Sequence, residues 1–463
     1  MLPRCKDSCQ RTYIATGQGE ETVPIDATSQ NELPPPDVAC VTPRGKHHFF
    51  GYYDRCPWDR DDRYLLSLET DFMDRMPMAD DAAGIGIVDF GRDAAYRRIA
   101  QTHAWNFQEG AKLQWVEGFG EPAFIHNDRR DGEFVAVVRN VEGTELRSYS
   151  QPVYHVSDDG RKALSLNFSR VARTVAGYGY AGVPDATCET LAPEDDGISV
   201  LSLDTGQTGL VLSLAQIAGY QPHESMAQAE HWVMHLLFNP SGTRFVFIHR
   251  WAPPSRVDAR RTISLLLYRF RNRCRNWWPM RMARPILRVL YGAVQARVLP
   301  GYQSRLLVAD VDGKSLKCLA DEKLVSHYSW RDDDHLLCWA QRQPLGQRYW
   351  LIDVRSAEAK VIGEGSLDCD GHCTFRHDHR WILTDTDGPN EAMEHTLILF
   401  DTATGQRINQ GNYRTQPHIV RSQFRCDLHP RFDRQGRRVC FDSTHEGDRQ
   451  IYIANVPDIV KDS

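Results

Sequence analysis

The stretch MHLLFNPSGTRFVFIHR (234–250) recurs with variations as HYSWRDDDHLLCWAQ (327–341) and LHPRFDRQGRRVCFDST (428–444). Each version has a strand that carries aromatic residues or histidine, a tight polar turn and a second apolar strand. Self-similarity at a period of roughly 40–50 residues is typical of propeller blades. A four-stranded blade has too small an apolar face to be stable alone, and radial stacking against its neighbours buries that face. The repeat therefore predicts an all-β protein whose blade-start loops converge on a central channel.

The number of repeats predicts a seven-bladed β-propeller over residues 45–458. Most copies are followed by a second hairpin such as ISVLSLDTGQTGLVLS (198–213), in which Thr-Gly supplies the positive φ of a short turn. Two hairpins complete one four-stranded blade, and the second copy is the most degenerate. The copies span residues 52–69, 104–128, 152–169, 234–250, 327–341, 373–386 and 428–444.

Composition excludes several protein classes. The chain has 463 residues, of which 41% are hydrophobic and 10% aromatic, so it can form a sizeable core. A net charge of −6 argues against general nucleic-acid binding. The twelve cysteines include no CxxC pair, which disfavours a zinc site or a secreted disulfide framework. The sequence shows neither a signal-like apolar start nor a run of 18 apolar residues, so a cytoplasmic location is expected.

Two segments depart from the repeat. Residues 1–44 are polar, include Pro34-Pro35-Pro36 and lack periodicity, which predicts a disordered N-terminal arm. Residues 253–303 contain eleven arginines and one acid, Asp258, and their pattern predicts two amphipathic helical segments separated near Pro279. This basic insertion is interpreted either as a helical hairpin packed on the propeller rim or as a contact for an anionic membrane surface. Nucleic acid is disfavoured because the chain has no RRM-like aromatic–basic motif.

Histidines recur near the starts of copies four to seven. A single histidine of this kind is most often a core residue bonded to the backbone. The shared register changes this interpretation, because it predicts that His327, His372 and His429 approach one another at one end of the channel. With Asp370 and Asp427 beside them in the sequence, these histidines have the composition of a metal site.

From residue 230 to 455 the sequence resembles the oligogalacturonate lyases, seven-bladed, metal-dependent enzymes that shorten unsaturated pectin fragments. The His-Pro-His-Pro phrase of that family is Asp427-Leu428-His429-Pro430 here, and its Ser-His phrase is Gly371-His372. A Thr-His phrase that stands before Phe-Trp in that family matches Ser326-His327, which stands before Tyr328-Ser329-Trp330 here. An arginine that opens one of the family's strands matches Arg305.

The resemblance implies a set of roles. His372 and His429 would be metal ligands, and Asp427, which replaces a family histidine, would be a third. His327 would be the base, and Arg305 would bind a substrate carboxylate. The implied cofactor is a divalent cation, Mn²⁺ by resemblance, with Ca²⁺ or Mg²⁺ as alternatives. The implied function is a metal-assisted β-elimination lyase acting on a uronate-containing oligosaccharide or polysaccharide, in which a neutral histidine removes the C5 proton.

Other polar and aromatic residues lie at blade starts or in the long loop after the third copy. They are interpreted either as packing between blades or as contacts to sugar rings and carboxylates. The candidate substrate-binding residues are His48, Arg170, Tyr178, Tyr180, His231 and His235.

Two other functions are considered. One is a non-catalytic propeller that binds glycan or protein and docks at a membrane through residues 253–303. The other is a glycoside hydrolase with paired carboxylates, although no pair among Asp370, Asp385 and Asp427 is singled out by spacing. No GxSxG elbow, P-loop or dinucleotide fingerprint is present, so hydrolase-fold, NTPase and Rossmann functions are unsupported.

Overall fold

A computed structural model describes residues 37–254, 301–322, 324–420 and 422–461, which form seven four-stranded sheets. The predicted seven-bladed β-propeller is confirmed. All strand pairs within the sheets are antiparallel. In six of the sheets the strands lie side by side in chain order, and only the seventh sheet has a different order. Within the described residues three short α-helices accompany the blades: α1 (Phe168–Thr174), α2 (Leu214–Gly219) and α3 (Asp458–Lys461).

The strands have the following bounds. Strand β1 is Val38–Cys40. Blade one is β2 (His47–Phe49), β3 (Tyr64–Thr70), β4 (Ala83–Asp89) and β5 (Ala95–Thr102). Blade two is β6 (Gln114–Val116), β7 (Ala123–Arg130), β8 (Glu133–Asn140) and β9 (Glu145–Tyr149). Blade three is β10 (His155–Val156), β11 (Lys162–Ser165), β12 (Gly197–Ser202) and β13 (Thr208–Ser213).

The remaining blades continue the pattern. Blade four is β14 (Glu230–Phe238), β15 (Arg244–Ala252), β16 (Gln303–Asp310) and β17 (Lys317–Ala320). Blade five is β18 (Val325–Trp330), β19 (His335–Arg342), β20 (Gly346–Asp353) and β21 (Ala359–Ile362). Blade six is β22 (Thr374–Phe375), β23 (Trp381–Asp385), β24 (Glu394–Asp401) and β25 (Arg407–Arg414). Blade seven is β26 (Arg431–Phe432), β27 (Arg438–Ser443) and β28 (Gln450–Asn455), completed by β1.

The ring is closed by strands from both ends of the chain. Strand β1 pairs with β28, with Val38 opposite Ala454 and Cys40 opposite Tyr452. The propeller therefore begins at Val38 and not at residue 45, because these residues satisfy the free edge of the last blade. Residues 1–36 of the predicted arm lie outside the described residues.

The basic insertion falls between two neighbouring strands of blade four. Strand β15 ends at Ala252 and β16 begins at Gln303, and the two strands pair directly, with His249 opposite Arg305. Residues 255–300 lie outside the described residues, so the helices and the membrane contact predicted there remain predictions. Within the described ranges, no helix is long and apolar enough to cross a membrane.

The repeated turn has a physical cause. In blade four the Asn239 side-chain oxygen accepts hydrogen bonds of 2.9 Å from the amides of residues 243 and 244, while Gly242 adopts a φ of +64°. In blade seven Asp433 accepts from the amide of residue 437 at 2.7 Å, and Gly436 has the same φ. An Asn or Asp followed three residues later by glycine therefore fixes the hairpin.

The core lies between the blades. Along β15, Val246 and Ile248 pack in a cluster with residues of blade five, whereas Phe245 and Phe247 pack in a cluster with residues of blade three. Successive side chains of a strand point to opposite faces, so both faces of this blade are buried. This packing holds the inner strands, and the loops before them, in fixed positions around the channel.

Candidate metal centre

The first residue of the site is His372, which lies two residues before β22 and is fully buried. Its Nδ1 lies 2.8 Å from Asp385 Oδ1 and 3.0 Å from Oδ2, and its amide donates to the same carboxylate at 2.8 Å. Nδ1–H is therefore the donor, and Nε2, which has no hydrogen-bond partner, is the nitrogen that a cation could bind in place of its proton. A carboxylate that orients an imidazole in this way is characteristic of metal-binding histidines.

Electrostatics couple these two groups. Burial lowers the pKa of His372, but the Asp385 carboxylate outweighs burial and raises this pKa to about 9. Burial raises the pKa of Asp385, yet its interaction with His372 prevails and lowers this pKa to about 2. The Asp385 carboxylate is thus ionised at neutral pH and strengthens the basicity of the imidazole.

His429 presents a second free nitrogen. It precedes β26 in the left-handed conformation, with φ +43°, and its Nδ1 lies 2.7 Å from the carbonyl oxygen of Gly51 in blade one. Nε2 again has no hydrogen-bond partner, although the residue is buried. Burial lowers the pKa of His429 well below its ordinary value, followed by the charges of His372 and Arg431. The ring is therefore neutral and able to donate its Nε2 lone pair to a cation.

Asp427 completes a set of three possible ligands. Ligand atoms of His372, Asp427 and His429 all lie within 4.8 Å of one another, and the two imidazole centroids are 4.3 Å apart. Two donors that bind one cation at 2.0–2.6 Å can be at most about 5 Å apart. The Asp427 carboxylate is buried, and its Oδ2 lies 2.8 Å from Arg425 Nε without the alignment of a hydrogen bond. The donor set therefore fits a divalent cation.

His327 stands beside this set. Its ring centroid is 4.1 Å from that of His372, and its Nδ1 lies 2.9 Å from Asp370 Oδ1. With Nδ1–H held by Asp370, Nε2 carries the lone pair and can accept a proton. His327, Asp370 and Asp387 also offer atoms within 4.8 Å of one another. Of the predicted residues, His327, His372, Asp427 and His429 are thus brought to one place.

Two further predicted residues reach this group. The His235 ring stacks on Tyr52 at 4.9 Å, and Tyr178 meets His235 edge to face at 5.7 Å. His235 is held in a left-handed conformation, with φ +56°, and its amide donates to the Tyr154 hydroxyl at 3.0 Å. Burial, followed by the charge of Arg250, lowers the pKa of His235 well below its ordinary value.

Five predicted site residues have other partners. Arg305 is fully buried and donates to the carbonyl oxygens of Gln221 and Ile217, each at 2.9 Å, and to His249 Nδ1 at 3.1 Å. All three of its donor nitrogens are therefore engaged away from the metal ligands. The structure does not support its predicted role as a free carboxylate-binding arginine.

The other four pack within or between blades. His231 Nδ1 lies 2.9 Å from Nε2 of His249, whose Nδ1 accepts from Arg305. Arg170 donates to carbonyl oxygens of the following loop, including that of Leu191 at 2.8 Å. The Tyr180 ring stacks on Phe168 at 4.4 Å, and its hydroxyl accepts from Asn127. His48 lies 3.1 Å from the Gln450 side-chain oxygen. For His231, Arg170 and Tyr180 these contacts occupy the polar atoms with backbone or neighbouring side chains, as in structural residues. His48 Nε2, in contrast, has no hydrogen-bond partner and lies 3.5 Å from a Glu69 carboxylate oxygen.

Sequence reasoning missed the residue at the centre of the site. Tyr52, from the loop between β2 and β3, has its ring centroid 5.2 Å from His429, 6.1 Å from His372 and 6.3 Å from His327. The adjacent Tyr53 hydroxyl bonds to the backbone of Tyr328 in blade five. Tyr52 opens the first copy of the repeat, so the register that predicted the histidines could also have predicted this tyrosine.

Comparison with solved structures identifies proteins that share this fold. No protein-family model matches the sequence, and no curated protein is similar to it. An oligogalacturonate lyase in complex with manganese has a similar structure, with a TM-score of 0.58 and 14% sequence identity over 92% of this chain and 94% of that chain. An oligogalacturonate lyase from Vibrio parahaemolyticus matches with a TM-score of 0.55, also at 14% identity over 92% and 94% of the chains. The fold is that of the oligogalacturonate lyases.

The predicted resemblance is thus confirmed for the fold and extends from residues 230–455 to most of the chain. A puromycin-hydrolysing peptidase from Mycobacterium tuberculosis also matches, with a TM-score of 0.45 and 10% identity over 89% of this chain and 53% of that chain. Propellers support several activities, so function has to be argued from the residues of the site.

Proposed function

We propose that this protein is a metal-assisted β-elimination lyase that acts on a uronate-containing oligosaccharide or polysaccharide. The observation that carries the proposal is the pair of buried, unpartnered imidazole nitrogens of His372 and His429, which meet the Asp427 carboxylate within 4.8 Å. Unpaired polar atoms at such depth are costly unless a ligand satisfies them. The His327–Asp370 pair beside them supplies a base.

The cation would be held by His372 Nε2, His429 Nε2 and the Asp427 carboxylate. Two imidazoles and one carboxylate suit Mn²⁺ better than Ca²⁺ or Mg²⁺, which prefer oxygen ligands alone. The similar lyase structure that contains manganese agrees with this choice. When bound, the cation stabilises the negative charge that develops on a uronate carboxylate as the neighbouring proton is lost.

His327 is the proposed base. Its Nε2 accepts the C5 proton of the uronate, while Asp370 retains Nδ1–H and stabilises the imidazolium that results. Loss of the 4-O substituent then leaves a C4–C5 double bond. The 4.1 Å separation of the His327 and His372 rings keeps the base next to the group that binds the carboxylate.

The site favours elimination over hydrolysis by paired carboxylates. A glycosidase needs one carboxylic acid and one free carboxylate about 5–10 Å apart across the scissile bond. Here Asp370 is bonded to His327, Asp385 is bonded to His372, and Asp427 lies beside Arg425. The three carboxylates considered from the sequence are therefore each engaged with a basic side chain.

The proposal is tested with protein stripped of metal and reloaded with Mn²⁺. We would incubate it with galacturonate, guluronate, mannuronate and glucuronate oligosaccharides and follow the absorbance of the unsaturated product. Activity should require the cation and be lost in His327→Ala. His335→Ala is a matched control, because His335 lies in the same blade and pairs with Asp332 on the surface. Saturated products alone, or no product from any of these substrates, would contradict the proposal. The predicted cytoplasmic location stays a prediction, which cell fractionation would check.

A further inference from the structure

Tyr52, in the loop between β2 and β3, is a buried residue whose hydroxyl forms no hydrogen bond with any of the described residues. Only 4% of the residue is exposed. Polar groups at this depth are normally hydrogen-bonded. A free hydroxyl beside a candidate metal centre therefore indicates a group that contacts a bound molecule.

The tyrosines that donate hydrogen bonds nearby differ from Tyr52 in this respect. The Tyr53 hydroxyl donates to the carbonyl oxygen of Tyr328 at 3.0 Å. The hydroxyl of Tyr328 in turn donates to the carbonyl oxygen of His235, and that of Tyr154 donates to a buried glutamate carboxylate. Each of these O–H groups has a partner within the protein, so its proton holds the structure together and is not available to a substrate.

The Tyr52 ring lies between the proposed base and the proposed metal ligands. Its centroid is 6.3 Å from that of His327, 6.1 Å from that of His372 and 5.2 Å from that of His429. In a uronate, the oxygen on C4 is separated from the C5 proton by these two carbon atoms only. An acid for that oxygen therefore has to lie within about one sugar ring of the base, and Tyr52 meets this condition.

The surroundings of Tyr52 fix its ring and suit it to donate a proton. The ring stacks on His235 at 4.9 Å with an angle of 13° between the planes. Burial raises the pKa of Tyr52 well above its ordinary value, so the phenol keeps its proton at neutral pH. Lys112 Nζ lies 5.5 Å from the ring centroid, and its positive charge would stabilise the phenolate that remains after proton transfer.

We infer that Tyr52 is the general acid that protonates the 4-O leaving group, an inference that rests on the proposed function. His327 Nε2 takes the C5 proton, and the electron pair of the C5–H bond becomes the second bond between C4 and C5. The C4–O bond breaks with its electron pair on oxygen, and this oxygen takes the Tyr52 proton. The phenolate then regains a proton, through water, from the His327 imidazolium. An alkoxide leaves poorly without such a proton, which is the task of a general acid.

The inference is tested by changing the leaving group. We would load Tyr52→Phe with Mn²⁺ and compare two substrates, the uronate oligosaccharide that the wild type cleaves and a uronide of the same sugar that carries 4-nitrophenol at O4. The nitrophenolate leaves without a proton, whereas the sugar does not. Tyr52→Phe should lower turnover of the oligosaccharide about 10²–10⁴-fold and turnover of the nitrophenyl substrate less than about tenfold.

Two variants serve as references for this selective loss. His327→Ala should lower turnover of both substrates, because each has to lose its C5 proton. Tyr53→Phe is the matched control, since it removes the adjacent hydroxyl, which bonds to backbone. It should lower the melting temperature but leave the ratio of the two turnover rates as in the wild type. Tyr52→Phe should keep its metal and its melting temperature, because its hydroxyl has no protein partner.

Tyr178 is the rival candidate. Its ring meets His235 at 5.7 Å, and its hydroxyl interacts with Arg425. If Tyr178→Phe shows the selective loss and Tyr52→Phe does not, the acid is Tyr178 and the inference about Tyr52 is overturned. Equal losses for both substrates in Tyr52→Phe, or no loss at all, would overturn it as well.

These outcomes are separable from failure of the proposed function. If the wild type forms unsaturated product while Tyr52→Phe cleaves the oligosaccharide at the wild-type rate, the lyase proposal stands and only the general acid is wrong. If the wild type forms no unsaturated product from any uronate substrate, the lyase proposal fails, and the role of Tyr52 fails with it.

Discussion

Replacing Asp385 with asparagine tests the orientation of the proposed metal ligand without removing the ligand itself. In the wild type, the buried Asp385 carboxylate accepts from both the amide and Nδ1 of His372 at 2.8 Å. The asparagine has the same shape but no charge. If its oxygen faces Nδ1, the hydrogen bond remains and only its charge is lost. If its NH₂ group faces Nδ1, the proton moves to Nε2 and blocks the atom that would bind the cation.

The expected magnitude follows from the position of Asp385 behind the ligand. Loss of a carboxylate that orients a metal-binding histidine typically costs about 10–100-fold in metal affinity. This range corresponds to about 1.4–2.8 kcal/mol of binding free energy. Titration of the metal-free protein with Mn²⁺ by calorimetry at several pH values would give the two dissociation constants, corrected for the proton that the cation displaces from His372. Thermal unfolding would establish that the variant retains the fold.

Asp401→Asn provides the control for this experiment. Asp401 is also a buried aspartate of blade six, and it accepts from Arg380 at 2.8 and 2.7 Å away from the histidines. This variant should lose stability but keep its Mn²⁺ affinity. If Asp385→Asn binds Mn²⁺ within twofold of the wild type, Asp385 does not orient a metal ligand and the assignment of His372 is refuted.

Three further predictions concern the base, an ion pair and the closure of the ring. His327→Ala should lower turnover about 10²–10⁴-fold and keep the metal, whereas His372→Ala should lose both, as measured by product absorbance and metal content. The hydrogen bond from Arg380 lowers the pKa of Asp401 to about 2. The contribution of this ion pair to the free energy of unfolding is therefore fully present above the ordinary aspartate pKa near 3.8 and is lost as the pH falls toward 2. Urea unfolding should therefore show a difference between wild type and Asp401→Asn that shrinks from pH 5 to pH 3; a constant difference would contradict this. Deletion of residues 1–40 should lower the melting temperature relative to deletion of residues 1–36, because only the first exposes the edge of β28; equal melting temperatures would show that β1 is dispensable.

The fold could be predicted because each blade repeats the same local chemistry. Turns such as that of Asn239 and Gly242 are fixed by residues within a few positions of one another, so they are visible in the sequence. The closing strand Val38–Cys40 could not be found in this way. It has only three residues, it follows a proline-rich stretch, and its partner β28 lies at the other end of the chain. Its structure depends on long-range pairing and not on its own pattern.

The site could be predicted in part for a related reason. His327, His372 and His429 lie in equivalent positions of three blades, and rotation about the propeller axis brings equivalent positions together. Arg305 occupies no such position, and its partners at residues 217 and 221 come from a helix and turn that the repeat does not describe.

Two departures from the phrases of the oligogalacturonate lyases, Gly371 and Asp427, have local explanations in the structure, whereas a third, Phe424 at the position of that family's glutamine ligand, has none. A Cβ at Gly371 would clash with the carbonyl oxygen of Asp385, the residue that orients His372, so glycine is required for this close approach. At Asp427, a carboxylate replaces an imidazole and adds negative charge among buried histidines. The Arg425 guanidinium lies 2.8 Å from that carboxylate and offsets the charge. An imidazole at this position would face Arg425 without such compensation, so residues 425 and 427 are expected to depend on each other.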